Sequence, residues 1–85
     1  MYYFVYILQS LHTKRLYIGV TSNLKKRLKE HNTGKNKATK RYTPWVLIYC
    51  EIYRSKKDAL TRERKLKRYK NSLTRLKQRI KNCFL

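Results

Sequence analysis

The sequence predicts an α+β domain, a small sheet with helices packed on it, and three observations carry that expectation. Two short apolar runs, Phe4 to Leu8 and Leu16 to Val20, are rich in β-branched and aromatic residues and are joined by a short polar segment, Gln9 to Arg15. Such a pair reads as antiparallel neighbouring strands. A third apolar run covers Trp45 to Tyr53, and leucines recur at helical spacing in the segments between and after the strands. Eighty-five residues suit one domain, spanning 1–85, with a real but small core.

Taken in order, Tyr2 to Leu8 forms strand one. Tyr3, Val5 and Ile7 share one face and Tyr2, Phe4, Tyr6 and Leu8 the other, so both faces call for cover. In strand two, Leu16 to Val20, Tyr17 stands where Tyr6 stands in strand one, so two phenols can meet on one face. Gly19 marks a bulge or a close approach by another group. Thr21-Ser22-Asn23 supplies helix N-cap candidates. A helix from Asn23 to His31 then ends near Asn32-Thr33-Gly34, with Gly34 as the residue just past its C-cap. Leu24, Arg27, Leu28 and His31 form its inward stripe, and Lys25, Lys26, Lys29 and Glu30 occupy the remainder.

Lys35 to Pro44 is a basic loop without apolar period. The third strand has Val46, Ile48, Cys50 and Ile52 on one face and Leu47, Tyr49, Glu51 and Tyr53 on the other, and its unbroken apolar character suits a central position. Ser55 with Asp58 resembles a capping box. It opens a helix running to about Lys70, whose inward stripe is Ala59, Leu60, Glu63 and Leu66. Asn71-Ser72 interrupts the pattern and can cap a third helix carrying Leu73, Leu76 and Ile80.

Charge narrows the class of function. Twenty-three Lys+Arg against four Asp+Glu give a net charge of +19. A surface so positive repels itself unless a polyanion is near, and nucleic acid is the foremost candidate. An anionic membrane surface is the rival, but it calls for a basic amphipathic helix with a strong apolar face and no internal site. Cys50 and Cys83 lack metal-ligand spacing and nothing suggests secretion, so both read as reduced thiols, Cys50 in the core and Cys83 in a frayed tail. No apolar run approaches a membrane span. The expected compartment is the cytoplasm, with nucleoid association left open.

Arg27, His31 and Glu63 lie on otherwise apolar stripes, where a charge is costly unless paired or bound. A carboxylate can hold a water-rich divalent cation, an arginine can clamp a phosphate, and a histidine or phenol can take a proton from attacking water. With Tyr6 and Tyr17 they form a plausible set for phosphodiester hydrolysis.

These residues resemble the GIY-YIG endonuclease family. The first signature stands here as Phe4-Val5-Tyr6 and the second as Tyr17-Ile18-Gly19. Thr21 to Asn32, Pro44-Trp45 through Glu51, and Ala59 to Lys67 continue the similarity, which looks closest to small stand-alone bacterial members. The resemblance implies a three-stranded antiparallel sheet flanked by helices. It implies cleavage of DNA with a single Mg²⁺ or Mn²⁺ ion, and a place in DNA repair or recombination is expected; with no sequence-reading domain attached, structure-selective or weakly sequence-specific action is expected. By similarity Tyr6 and Tyr17 are the motif tyrosines, Arg27 contacts the scissile phosphate, His31 matches a histidine found in some members, and Glu63 is the metal ligand. Phe4 stands where the first signature has glycine, and Asn71 is the only nearby candidate for the asparagine that many active members place after the glutamate.

Each residue also has an ordinary reading. The tyrosines can be plain sheet residues, Arg27 can snorkel along an apolar face, and His31 can interact with the helix dipole. Glu63 can pair with Lys67 at i+4, and Glu51 is best read as a structural partner of nearby basic groups. Lys25, Lys26, Lys35, Lys37, Lys40, Arg41 and Lys67 are the expected nucleic-acid contacts. Tyr42 and Trp45 can stack on bases, although Trp45 at a strand start is better read as core. The rival to a metal-dependent endonuclease is a nucleic-acid-binding module on the same fold with weak or no catalysis. No obligate protein partner and no membrane association are expected.

Overall fold

The computed structural model describes residues 1–85. Its elements are β1 (Tyr3–Ser10), β2 (Leu16–Thr21), α1 (Leu24–Asn32), β3 (Trp45–Tyr53), α2 (Lys56–Arg68) and α3 (Lys70–Arg79), with short 3₁₀ turns at Lys40–Tyr42 and Lys81–Cys83. The three strands form one antiparallel sheet in the order β2-β1-β3. β1 is therefore the central strand, and its residues Val5 to Ser10 are buried without interruption. The expectation of a central β3 is corrected: β3 lies at an edge. Its apolar run reflects two covered faces, not two strand neighbours.

Both faces are indeed covered. Val5, Ile7 and Ile18 pack with Ala59 and Leu66 of α2 and with Leu76 and Ile80 of α3 and its cap. On the other face Tyr6, Leu8 and Trp45 pack with Tyr17, Leu24, Leu28 and Tyr42, under α1 and the loop that follows it. β3 serves both faces by an irregularity. Ile7 pairs with Tyr49 but Leu8 pairs with Leu47, so Ile48 is an extra residue, a bulge. Ile48 and Tyr49 both join the α2/α3 side, while Leu47 and Cys50 join the α1 side. Strict alternation along β3, as expected from the sequence, is broken there.

The helix signals act as read, with three exceptions. Asn23 Oδ1 accepts the Lys26 N–H at 3.1 Å and Ser55 Oγ accepts the Asp58 N–H at 3.1 Å, and Gly34 follows the α1 cap at φ +77°, where glycine is favoured. Leu60 is 40% exposed and does not belong to the inward stripe of α2. The break before α3 falls at Tyr69, which caps both helices, so Asn71 and Ser72 lie inside the first turn of α3. Cys83 lies in a 3₁₀ turn and not in a frayed tail: Phe84 packs on the core, and the Leu85 N–H donates to Gln9 Oε1 at 2.8 Å. Both cysteines are free thiols, Cys50 half-buried and Cys83 exposed. No helix is long and apolar enough to cross a membrane.

Candidate active site

The antiparallel register brings the two tyrosines together. Tyr6 pairs across the sheet with Gly19, and Leu8 pairs with Tyr17, so both phenols project from the same face, their ring centroids 6.3 Å apart. Gly19 is required by this packing. A Cβ at Gly19 would lie 2.5 Å from the Tyr6 hydroxyl oxygen, 2.7 Å from its Cζ and 3.1 Å from Tyr17. The Tyr6 ring lies across the bare backbone of β2, which is the close approach that the glycine signals in the sequence.

α1 sets His31 over this pair. His31 is fully buried, with its ring 5.8 Å from Tyr6 and 4.7 Å from Tyr17. Its Nε2 is 2.9 Å from the Tyr6 hydroxyl and its Nδ1 is 2.9 Å from Thr39 Oγ1. Thr39 Oγ1 also faces the Asn36 carbonyl at 3.4 Å, which can only accept, so the threonine hydroxyl donates there and accepts from Nδ1–H. Nε2 is then the acceptor for the Tyr6 O–H. The result is a directional chain from Tyr6 through His31 to Thr39. Burial, seconded by the positive charge of Arg27, lowers the His31 pKa, so the imidazole is neutral at neutral pH. Burial also raises the Tyr6 pKa, with the Arg27 guanidinium opposing it and Tyr17 and Glu63 adding to it, so Tyr6 rests as the phenol.

Thr39 is held in its turn. It is buried, and its carbonyl accepts from Trp45 Nε1 at 2.8 Å. Asn32, next to His31, bonds the Trp45 backbone on both sides, accepting from its N–H at 2.6 Å and donating to its carbonyl at 3.0 Å. Trp45 is thus the core residue that pins the loop carrying Thr39 to the end of α1, and it is not available for stacking. Tyr42 stands edge-on to Trp45, with Arg15 4.5 Å above its ring.

Arg27 and Glu63 border the tyrosines from two helices. Arg27 is not sunk in the apolar stripe. Its side chain is 38% exposed and its Nη1 pairs with Glu30 Oε1 at 3.1 Å. Glu63 Oε2 pairs with Lys67 Nζ at 3.2 Å, and Lys67 stands 5.8 Å from the Tyr17 ring centroid. The charges of Arg27 and Glu63 are both felt at Tyr6. Tyr6, Tyr17 and His31 therefore gather at one place beside Arg27, Glu63 adjoins it through Lys67 beside the Tyr17 ring, and Asn71 is an exposed residue of α3. Glu51 goes elsewhere, to the α2/α3 side, where Arg62 bonds it through Nε at 2.9 Å and Nη2 at 3.1 Å, and Tyr49 and Tyr53 donate to it at 2.7 and 2.8 Å.

A model of the GIY-YIG catalytic domain matches residues 2–81 of the chain. The chain belongs to the GIY-YIG family. Its relatives are small proteins of the same kind. A UPF0213 protein of Staphylococcus haemolyticus is 40% identical over 68 residues, covering 79% of this chain and 82% of the relative. One from Haloquadratum walsbyi is 36% identical over 69 residues, covering 80% of this chain and 76% of the relative. The solution NMR structure of a UPF0213 protein from Bacillus halodurans superposes with a TM-score of 0.53 at 33% identity, covering 91% of this chain and 86% of that one. As a GIY-YIG protein the chain carries a nuclease-type domain, and nucleic acid is its class of substrate.

The seven basic residues expected to meet nucleic acid are all exposed. A cleft of about 320 Å³ lined by Arg27, Glu30, Lys35 and Asn36 opens beside the site, and Lys26 and Lys29 line the adjoining one with Glu30, Thr33 and Lys35. Sequence reasoning missed Thr39 and Glu30. Thr39 sits in a loop of small polar residues with no period to mark it. Glu30 stands three residues after Arg27, a spacing that pairs side chains on a helix and was the available signal. Glu63 is the metal-ligand candidate. No cluster of three or more His, Cys, Asp or Glu side chains exists, so the residues fit only a hard cation that keeps most of its waters and needs one carboxylate.

Proposed function

We propose that this protein is a divalent-metal-dependent endonuclease that hydrolyses DNA phosphodiester bonds through Tyr6, Tyr17, Arg27, His31 and Glu63. The observation that carries the reading is the hydrogen bond from Tyr6 to the buried, neutral His31, set between Arg27 and Glu63. Mg²⁺ or Mn²⁺ held by Glu63 would supply Lewis-acid neutralisation of the scissile phosphate.

The chain's own residues supply the remainder. Arg27, released from Glu30, faces the phosphate as a bidentate clamp. Tyr6 takes a proton from the attacking water as its own phenolic proton passes to His31 Nε2, so no free phenolate is needed at rest. Tyr6 is favoured over Tyr17 for this step because it alone has an acceptor waiting at 2.9 Å. Tyr17, stacked at the edge of His31, walls the site and orients the water. Lys25, Lys26, Lys35, Lys37, Lys40 and Arg41 track the backbone through charge, so action is structure-selective or weakly sequence-specific, which suits a role in DNA repair or recombination.

The test is cleavage of duplex, single-stranded, flapped and branched DNA by wild type and Glu63→Gln, in Mg²⁺, Mn²⁺ or EDTA. Cutting that EDTA and Glu63→Gln both abolish is the expected result. Salt-sensitive binding of every substrate with no cutting in any metal would favour the second reading, a binding module on the nuclease fold, for which the internal Lys67–Glu63 pair and the +19 charge argue.

A further inference from the structure

Glu63 has a single partner. Lys67 Nζ lies 3.2 Å from its Oε2, and the two side chains differ in freedom, Lys67 being 47% exposed and Glu63 21%. The carboxylate is the less exposed of the two on α2, while the ammonium rides on a flexible four-carbon stem. The same ammonium faces the Tyr17 ring, 5.8 Å from its centroid, a position favourable to a cation. It also borders a groove between β2, α2 and α3 lined by Leu16, Tyr17, Leu66 and Leu73. Lys67 is therefore a cation seated at the carboxylate and at the second motif tyrosine simultaneously.

We propose that Lys67 is a tethered counter-ion of Glu63, which a divalent cation displaces, and that the displaced ammonium then becomes a phosphate contact beside Tyr17. The proposal rests on Glu63 as the metal ligand. An ammonium at ion-pair distance and a divalent cation on the same carboxylate repel each other, so metal binding is an exchange and not an addition. Without nucleic acid, the exchange weakens metal binding. With a phosphate near Tyr17 to receive the ammonium, it becomes easier. Metal and nucleic acid then raise each other's affinity by one shared factor. A nuclease built this way holds its metal weakly until substrate arrives. Arg27 and Glu30 are poised alike on α1 at 3.1 Å, so both charged groups of the site rest neutralised by neighbours on their own helices.

The experiment titrates Mn²⁺ into the full chain without nucleic acid, reading free Mn²⁺ by electron paramagnetic resonance. Wild type, Lys67→Met, Lys67→Arg and Glu63→Gln are compared, each with its fold confirmed by circular dichroism. Lys67→Met is expected to bind Mn²⁺ roughly two- to fivefold more tightly than wild type, Lys67→Arg about as wild type, and Glu63→Gln not at all. Unchanged or weaker binding by Lys67→Met, with Glu63→Gln silent, overturns the exchange while leaving Glu63 as ligand. Mn²⁺ binding retained by Glu63→Gln removes Glu63 from the metal site, and the exchange with it. Affinity for labelled duplex DNA, measured by anisotropy on ice in Mn²⁺ or EDTA at matched ionic strength, tests the handover. Mn²⁺ should raise affinity more in wild type than in Lys67→Met, where only the direct contact of metal with phosphate is left, and an equal or smaller rise in wild type overturns the handover.

Discussion

Glu51 and Glu63 are carboxylates served by the same helix, and they could hardly be treated more differently. Glu51 on β3 receives two bonds from Arg62 and one each from Tyr49 and Tyr53. Burial alone would raise its pKa, but these bonds outweigh burial and hold it below the ordinary value. The two phenols are pushed the other way, Tyr49 up to about 12, by burial and by their bonds to the carboxylate. Glu63 makes one ion pair, with a lysine that is nearly half exposed. A carboxylate with every lone pair engaged is part of the scaffold. One with a single mobile partner has capacity left for something else. The contrast separates a carboxylate saturated by its neighbours from one with bonding capacity to spare, in a chain where both acids are surrounded by lysine and arginine.

The sharpest break of this contrast is Glu63→Gln. Cleavage should fall by about 10³-fold or more, roughly 4 kcal/mol of transition-state stabilisation. Unfolding free energy in urea should change by under about 0.5 kcal/mol, the scale of an exposed i, i+4 pair. A large loss of stability would make Glu63 a second Glu51. The complementary change, Glu51→Ala, should cost about 2–4 kcal/mol in urea unfolding, because Arg62 and two phenols lose their acceptor. Cleavage per folded molecule should stay within about twofold. Because the folded pKa of Glu51 is depressed, its contribution to stability is present above the unfolded carboxylate value and lost as pH falls through the folded one. Acid unfolding of Glu51→Gln should lack that component.

Gly19→Ala probes the tyrosine pair. With Cβ 2.5 Å from the Tyr6 hydroxyl, it should cost about 1–3 kcal/mol through overpacking and shift the near-ultraviolet dichroism of the tyrosines. Thr39→Val has the smallest effect, about 1 kcal/mol of stability from the buried Nδ1–H left unpaired, with a roughly tenfold drop in cleavage at neutral pH as His31 loses its fixed tautomer. The His31 pKa is lowered in the fold, so the unfolded chain takes up its proton first on acidification. Stability should therefore decline as pH falls below the ordinary histidine value, and cleavage should hold to below that value. A cleavage profile that falls above it would place the proton acceptor elsewhere.

Much of this was legible in the residues. The strands, the tyrosine register and the three polar residues on apolar stripes follow from periodicity, because side-chain direction alternates in strands and repeats every three to four residues in helices. Gly19 was readable as a close approach because no other residue leaves such room. Other features depend on pairings that only the folded chain brings together. The placement of β3 at an edge was hidden because covered faces and strand neighbours leave the same apolar record. Thr39 was invisible because its role is set by His31, eight residues away across a loop. Leu60 misled because a leucine at the right spacing can still face water at the margin of a stripe.

The bulge at Ile48 has a consequence for parity. Counting from Trp45 by twos reaches Glu51, and in an unbroken strand the two would point the same way. Trp45 faces α1, so if Ile48 took a regular place in the pleat instead of bulging, Glu51 would point toward Tyr6 and His31. By absorbing Ile48 the bulge keeps the acid on the opposite side of the sheet from the phenols. Deleting Ile48 would remove the bulge and leave Leu47 and Tyr49 in regular alternation opposite Leu8 and Ile7, with Glu51 still on the α2/α3 side, whereas straightening the bulge with Ile48 retained would carry Glu51 to the phenols.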